Sequence, residues 1–221
     1  MKVHYRVYSR SVQPTIFAII GKPLAGKDTQ ADLLVAAHPQ AVKISTGHII
    51  RAVREEGEAH RFWPLIGPYI EMEKNGIKLP DPEIVEMLSA VIKEQISDGK
   101  KLLVIAGSPR SFEQLDGFKK IAKDTNSKLH IVCMEATDEE TFLRSAARNE
   151  GRIDDTPEVH AVRLEEYRTH VIPMVESLRK IGQLIEIDGM NTKEEVFAIL
   201  EREVNKRVFD PEITLPTMAR R

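Results

Sequence analysis

The sequence predicts a three-layer α/β domain, a five-stranded parallel sheet flanked by helices. Three observations carry this reading. Short, β-rich apolar runs alternate with longer helical segments along most of the chain. The first run, from Thr15 to Ile20, is apolar at consecutive positions, as a strand buried on both faces requires. A glycine-containing turn, Gly21 to Lys27, joins that run to the first helix with the spacing G-x-x-x-x-G-K. Right-handed β-α-β crossovers then set the strands parallel and the helices on both faces.

Taken in order, the strand ending at Gly21 is followed by a helix from Asp28 to Ala37. A second strand, Ala41 to Ile44, runs into Ser45, a good N-cap for a helix reaching about Glu56. The stretch from Gly57 to Pro80 has no clear period and is read as less regular. Pro82 suits the first turn of a helix that continues to Ser97. A third strand (Lys101 to Ile105), a helix (Ser111 to Asp124) and a fourth strand (Lys128 to Met134) follow. Asp138 to Asn149 is helical, Glu150 to Thr156 is a polar turn, and Pro157 to Ile181 fits one long helix. Pro173 lies inside that helix and predicts a kink near Thr169–Ile172. The last strand is Gln183 to Ile187 and the last helix Lys193 to Val204. Residues 1–14 read as an N-terminal extension, 15–205 as the core and 206–221 as an irregular tail.

At 221 residues, with 42% hydrophobic and 30% charged, the chain can bury a single core and is not mainly disordered. A net charge of −2 offers no broad field for nucleic acid or an anionic membrane. No apolar run approaches the ~20 residues that span a bilayer. Residues 1–14 carry Lys2, Arg6 and Arg10 but no apolar core of a secretory signal. The lone cysteine, Cys133, excludes an internal disulfide and a cysteine-only metal site. These features predict a cytoplasmic protein of enzyme size, with neither nucleic acid nor membrane as partner; a monomer is the expected state.

Gly21-Lys22-Pro23-Leu24-Ala25-Gly26-Lys27 carries the chemistry most clearly. Glycines let the backbone curl so that N–H groups point at phosphate oxygens. The next helix adds its positive N-terminal end, and Lys27 reaches the outer phosphates. Asp28 stands where many such loops carry Ser or Thr, with Thr29 one place later. Ile44 to Arg51 is, on its own, a strand end, a cap and a first helical turn. Ala106-Gly107-Ser108-Pro109-Arg110, with Gln114 beyond it, is on its own a loop with a surface arginine. Arg144, Arg148, Arg152 and Arg163 fall on a helical hairpin. Guanidinium groups bind phosphate through a planar fork, although such a hairpin is also an ordinary solvated surface.

Together these segments resemble the adenylate kinase family of nucleoside monophosphate kinases, over nearly all of residues 15–205 and in the family's order. Gly21 to Gln30 looks like that family's P-loop, with Thr29 and Gln30 matching and Leu24 and Asp28 replacing glycines. The resemblance implies that Gly21, Leu24, Ala25, Gly26, Lys27, Asp28 and Thr29 hold ATP. It gives Thr46 a base or ribose contact and Arg51 a monophosphate contact, with His48 replacing an aspartate. Gly76 to Pro80, with Lys78 and Leu79 in the middle, lines the base pocket through its backbone. Gly107, Pro109, Arg110 and Gln114 match the next segment, Arg110 holding the monophosphate and Gln114 reading the base edge. Arg144 stacks on the donor base, Arg148 holds donor phosphates, and Arg152 and Arg163 bridge the transferring group and the monophosphate. The backbone of Gly189-Met190-Asn191 touches the donor base.

The same resemblance implies a monophosphate-binding lobe at 45–80 and a short lid at 144–163. It implies transfer of the γ-phosphoryl group of Mg-ATP to a nucleoside monophosphate, with Thr46 and Gln114 leaning toward AMP. Lys27, Arg110, Arg148, Arg152 and Arg163 are the expected catalytic cations, and Mg²⁺ is the expected cofactor. In the family, strand three ends in an aspartate that helps hold the metal through water; here it ends in Ala106, and Ser108 replaces a phenylalanine. Asp28 is the candidate metal residue in its place. Two other readings stay open: a nucleotide-binding protein without transfer activity, and a kinase acting on CMP or UMP.

Overall fold

The computed structural model describes residues 13–147 and 156–208. Its sheet holds five parallel strands in the order β2-β3-β1-β4-β5. These are β1 (Thr15–Gly21), β2 (Ala41–Ser45), β3 (Leu102–Ala106), β4 (Lys128–Glu135) and β5 (Leu184–Asp188). Successive residues of β1 point to opposite faces and feed two cores. Ile16, Ala18 and Ile20 join one core with Ile105 of β3 and Cys133 of β4. Phe17 and Ile19 join the other with Val104 and Met134. The unbroken apolar run Ile16–Ile20 is therefore that of a central strand covered twice.

Helix α1 (Lys27–Ala37) follows β1 and packs with the last helix. Helix α2 (Thr46–Glu56) is capped by Ser45, whose hydroxyl accepts from the His48 amide. The stretch read as less regular holds two short helices, α3 (Trp63–Ile66) and α4 (Ile70–Lys74), with one 3₁₀ turn before the first and another joining the two. Helix α5 (Asp81–Ser97) packs on α6 (Phe112–Asp124), which Ser111 caps through the Gln114 amide. Helix α7 (Asp138–Ala147) leads toward residues 148–155, outside the described part.

The long helix expected from Pro157 is three consecutive pieces. They are α8 (Pro157–Glu166), a single π-helical segment over Tyr167–Val171, and α9 (Ile172–Lys180). Pro173 has no N–H to return to the Thr169 carbonyl and its ring crowds that group, so the turn ahead of it widens. Helix α10 (Lys193–Val208) outruns the expected end at Val204 by one turn. Val204 and Val208, an i, i+4 pair, are both buried and hold that turn down.

Candidate active site

One cleft opens at the carboxyl ends of β1, β2 and β3, the usual ligand position in such sheets. The β1–α1 turn forms one wall. Gly21 has φ +139°, and a Cβ there would meet the Met134 carbonyl oxygen at 2.2 Å. Gly26 caps α1 in a left-handed conformation. Lys27 donates from Nζ to the carbonyl of Gly21 at 3.0 Å and also to that of Lys22. Burial, and then the Arg110 charge, pull its ammonium down to about 8 from the ordinary 10.5. An incoming polyphosphate would offset both effects.

Leu24 also lines the cleft, and it is left-handed at φ 60°. That conformation costs an L-residue ~1–2 kcal/mol relative to the right-handed one, a cost glycine escapes. Glycine in turn adds freedom to the unfolded chain, by roughly 0.5–1 kcal/mol. Leu24→Gly is therefore expected to leave stability unchanged or raise it by up to about 1 kcal/mol, read from urea unfolding midpoints. A loss of more than about 1 kcal/mol would show that the Leu24 side chain contributes packing that outweighs the strain.

Arg144, expected to stack on the donor base, is held by three hydrogen bonds. Its guanidinium donates to the Leu24 carbonyl at 3.2 Å, to the Gly189 carbonyl at 3.0 Å and to Glu140 at 2.8 Å. It ties the phosphate loop to the turn after β5. Ala25 is a buried residue of the loop itself, and Thr29 is exposed on α1. Arg148 and Arg152 fall outside the described residues.

The opposite wall comes from α2, the segment before α5, and the β3–α6 loop. The Arg110 Nε donates to the Gly107 carbonyl at 2.6 Å, leaving its other nitrogens for the cleft. Burial, then the neighbouring Arg163 charge, lower the Arg110 pKa from its ordinary value. Arg163 reaches the cleft past Gly76, where a Cβ would sit 2.8 Å from the Val159 carbonyl oxygen and 3.2 Å from Arg163 Cγ. Arg51 lies over Gly47, with one guanidinium nitrogen 3.1 Å from where a Cβ would stand. Thr46 donates to the Ser108 hydroxyl at 3.0 Å, so the serine at the family's phenylalanine position gains a buried partner.

Gln114 lines the cleft with Leu79 and Ile84, and both ends of its amide are already engaged. Lys78 lines it too, and its side chain, beyond the backbone role, pairs with Asp81 at 2.7 Å. The motifs did not point to Glu73, Glu166, His160 or Tyr167, which also line the cleft. Glu73 holds Arg54 at 2.8 Å. His160 is buried against Thr141 and edge-on to Phe142, packing α8 on α7. None of these four stands in a recognisable local pattern.

Asp28, Ser45 and Ala106 line the same cleft, and Ser45 is the β2 neighbour of Ala106 in register. Burial disfavours the charged form of Asp28, but the Ser45 hydroxyl, Lys43 and Lys27 outweigh it and hold the carboxyl below its ordinary value. Lys43 of β2 reaches Asp28 at 3.2 Å and Asp32 at 2.9 Å. Among the described residues no group of three or more His, Cys, Asp or Glu could hold a metal. A single carboxylate with a hydroxyl fits Mg²⁺ that arrives with nucleotide phosphates, since that ion usually takes one or two carboxylates and keeps several waters.

A model of the adenylate kinase family matches residues 19–183. Similar proteins include the adenylate kinase of Nitrobacter hamburgensis, 30% identical over 187 residues, which are 80% of this chain and 86% of that protein. That of Leptospira biflexa is 32% identical over 183 residues, 80% of this chain and 92% of that protein. That of Thermus thermophilus is 32% identical over 189 residues, 84% of this chain and 94% of that protein. A phosphate loop on β1, cations gathered at the strand ends and a match spanning most of the sequence agree: the chain belongs to the adenylate kinase family, a family of phosphotransferase enzymes.

Proposed function

We propose that this protein transfers the γ-phosphoryl group of ATP to AMP, giving two ADP. The observation that carries the reading is the meeting of Lys27, Arg110 and Arg163 on one cleft, close enough that Arg110 disfavours the charge on Lys27 and Arg163 that on Arg110. A cleft that gathers like charges in this way is built for a polyanion. In the reaction an oxygen of the monophosphate bonds to the γ-phosphorus while the bond to the β–γ bridging oxygen breaks. The transition state is loose, so alignment and charge stabilisation are the main needs. Lys27 and Arg110 supply fixed positive charge where equatorial charge develops, and the resemblance adds Arg148, Arg152 and Arg163. Mg²⁺, when bound with ATP, would neutralise β- and γ-oxygens, with Asp28 and Ser45 as the residues to hold it.

The test is ADP formation from Mg-ATP with AMP, GMP, CMP, UMP or no acceptor. AMP is expected to give the highest kcat/KM. A hydrogen-bonded base site rejects a wrong base by leaving polar groups unpaired, at ~1–3 kcal/mol each. CMP or UMP used at least as efficiently as AMP would overturn this reading of Gln114 and Thr46. A second reading, nucleotide binding without transfer, is favoured by Ala106 and by Lys43 lying on Asp28. It predicts ATP binding with no ADP formed from any acceptor.

A further inference from the structure

The Gln114 amide is held at both ends. Its Oε1 accepts from the Arg110 backbone N–H at 2.8 Å, and its Nε2 donates to Asp81 Oδ1 at 2.8 Å. The Lys78 ammonium donates to the same carboxylate oxygen at 2.7 Å. The two ends of an amide have nearly the same shape, so only their partners decide which way it faces. A backbone N–H can only donate, and an ionised carboxylate can only accept. Flipping Gln114 would set donor against donor and acceptor against acceptor. One N–H and one lone pair therefore remain, with fixed polarity, for a base entering between Leu79 and Ile84.

We propose that Asp81 is a specificity-determining positioning residue: by fixing the polarity of the Gln114 amide, it selects a 6-aminopurine monophosphate over the 6-oxopurine of the same shape. The inference rests on the assignment of Gln114 to the acceptor base made above. A 6-aminopurine edge offers a donor on N6 and an acceptor at N1. A 6-oxopurine edge offers an acceptor at O6 and a donor on N1. Pocket walls cannot tell these rings apart, because their outlines match. An amide free to turn would satisfy either edge, whereas a fixed one satisfies the first and opposes the second at both atoms.

The experiment compares kcat/KM for AMP, inosine monophosphate and CMP in the wild type, Asp81→Ala and the double variant Lys78→Met with Asp81→Asn, with calorimetric binding of each monophosphate alongside. Asp81→Asn by itself would keep the lock, because the Lys78 ammonium can only donate and would hold the asparagine oxygen where Gln114 Nε2 also reaches it. With Lys78 replaced, the asparagine keeps the shape and can turn to donate. The wild type is expected to prefer AMP over inosine monophosphate by at least about 100-fold, from two mismatched groups. The Arg110 N–H still holds one end of the amide in both variants, so the ratio is expected to fall about tenfold, through better use of inosine monophosphate, with KM for ATP unchanged. Either variant decides the matter if the other does not fold. A wild type selective for AMP whose variants lose activity on both purines with the ratio unchanged overturns the lock and leaves the AMP assignment standing. A wild type that uses CMP as well as AMP overturns the assignment of Gln114 and the lock together.

Discussion

Arg110→Lys is expected to lower turnover at least about tenfold, equivalent to ~1.4 kcal/mol of transition-state stabilisation, with the fold intact. Arg110 does two things at once. Its Nε is anchored on the Gly107 carbonyl at 2.6 Å, and its remaining nitrogens face the cleft. A lysine has one nitrogen on a flexible stem. It can bond Gly107 or reach a phosphoryl oxygen, but it cannot present a planar fork held from behind. Arg110→Met, which removes the charge and the Gly107 bond together, is expected to collapse turnover further than Arg110→Lys. Near-normal kinetics for Arg110→Lys would return this arginine to an ordinary surface role.

The features legible in sequence were those written locally. Ile16 to Ile20 is apolar at every position because β1 feeds a core on each face. The glycines of the loop follow from backbone geometry, as at Gly21, where no side chain fits against Met134. Helices α3 and α4 were not legible, because runs of four and five residues, broken by Pro64, Gly67 and Pro68, carry no period. The last turn of α10 was hidden by polar Asn205, Lys206 and Arg207 between two buried valines. In the candidate site, the cleft-lining residues that stand in the loop motifs were legible, whereas Glu73, His160, Glu166 and Tyr167, and the residues that orient the motif side chains, were not. Asp81 lies 33 positions from Gln114 and Lys43 lies 15 from Asp28, and no local spacing connects either pair. Arg144 was legible as a cation, but its place depended on the Leu24 and Gly189 carbonyls, which only the fold brings beside it.

Asp28→Gly is expected to raise the Mg²⁺ concentration for half-maximal turnover by about tenfold under saturating ATP and AMP, and adding Ala106→Asp is expected to restore it. The reason is geometric. A carboxylate on Ala106 would stand at the end of β3, beside Ser45 in register. Asp28 comes from the other side, its carboxylate paired with Lys43 at 3.2 Å. The two positions thus converge on one corner of the cleft, and a hard cation needs oxygen there from only one of them. Mn²⁺ bound with ATP, followed by electron paramagnetic resonance, should weaken in Asp28→Gly and recover in the double variant independently of turnover. If Asp28 serves only the N-terminus of α1, its worth is ~0.3–1 kcal/mol of helix stability, and Asp28→Gly will shift unfolding but not the metal titration. An unchanged Mg²⁺ dependence in Asp28→Gly therefore ends the relocation idea. A wild type inactive at every Mg²⁺ level, with activity gained in Ala106→Asp, makes the natural chain a nucleotide-binding protein in which Lys43 neutralises the only carboxylate the phosphate loop offers.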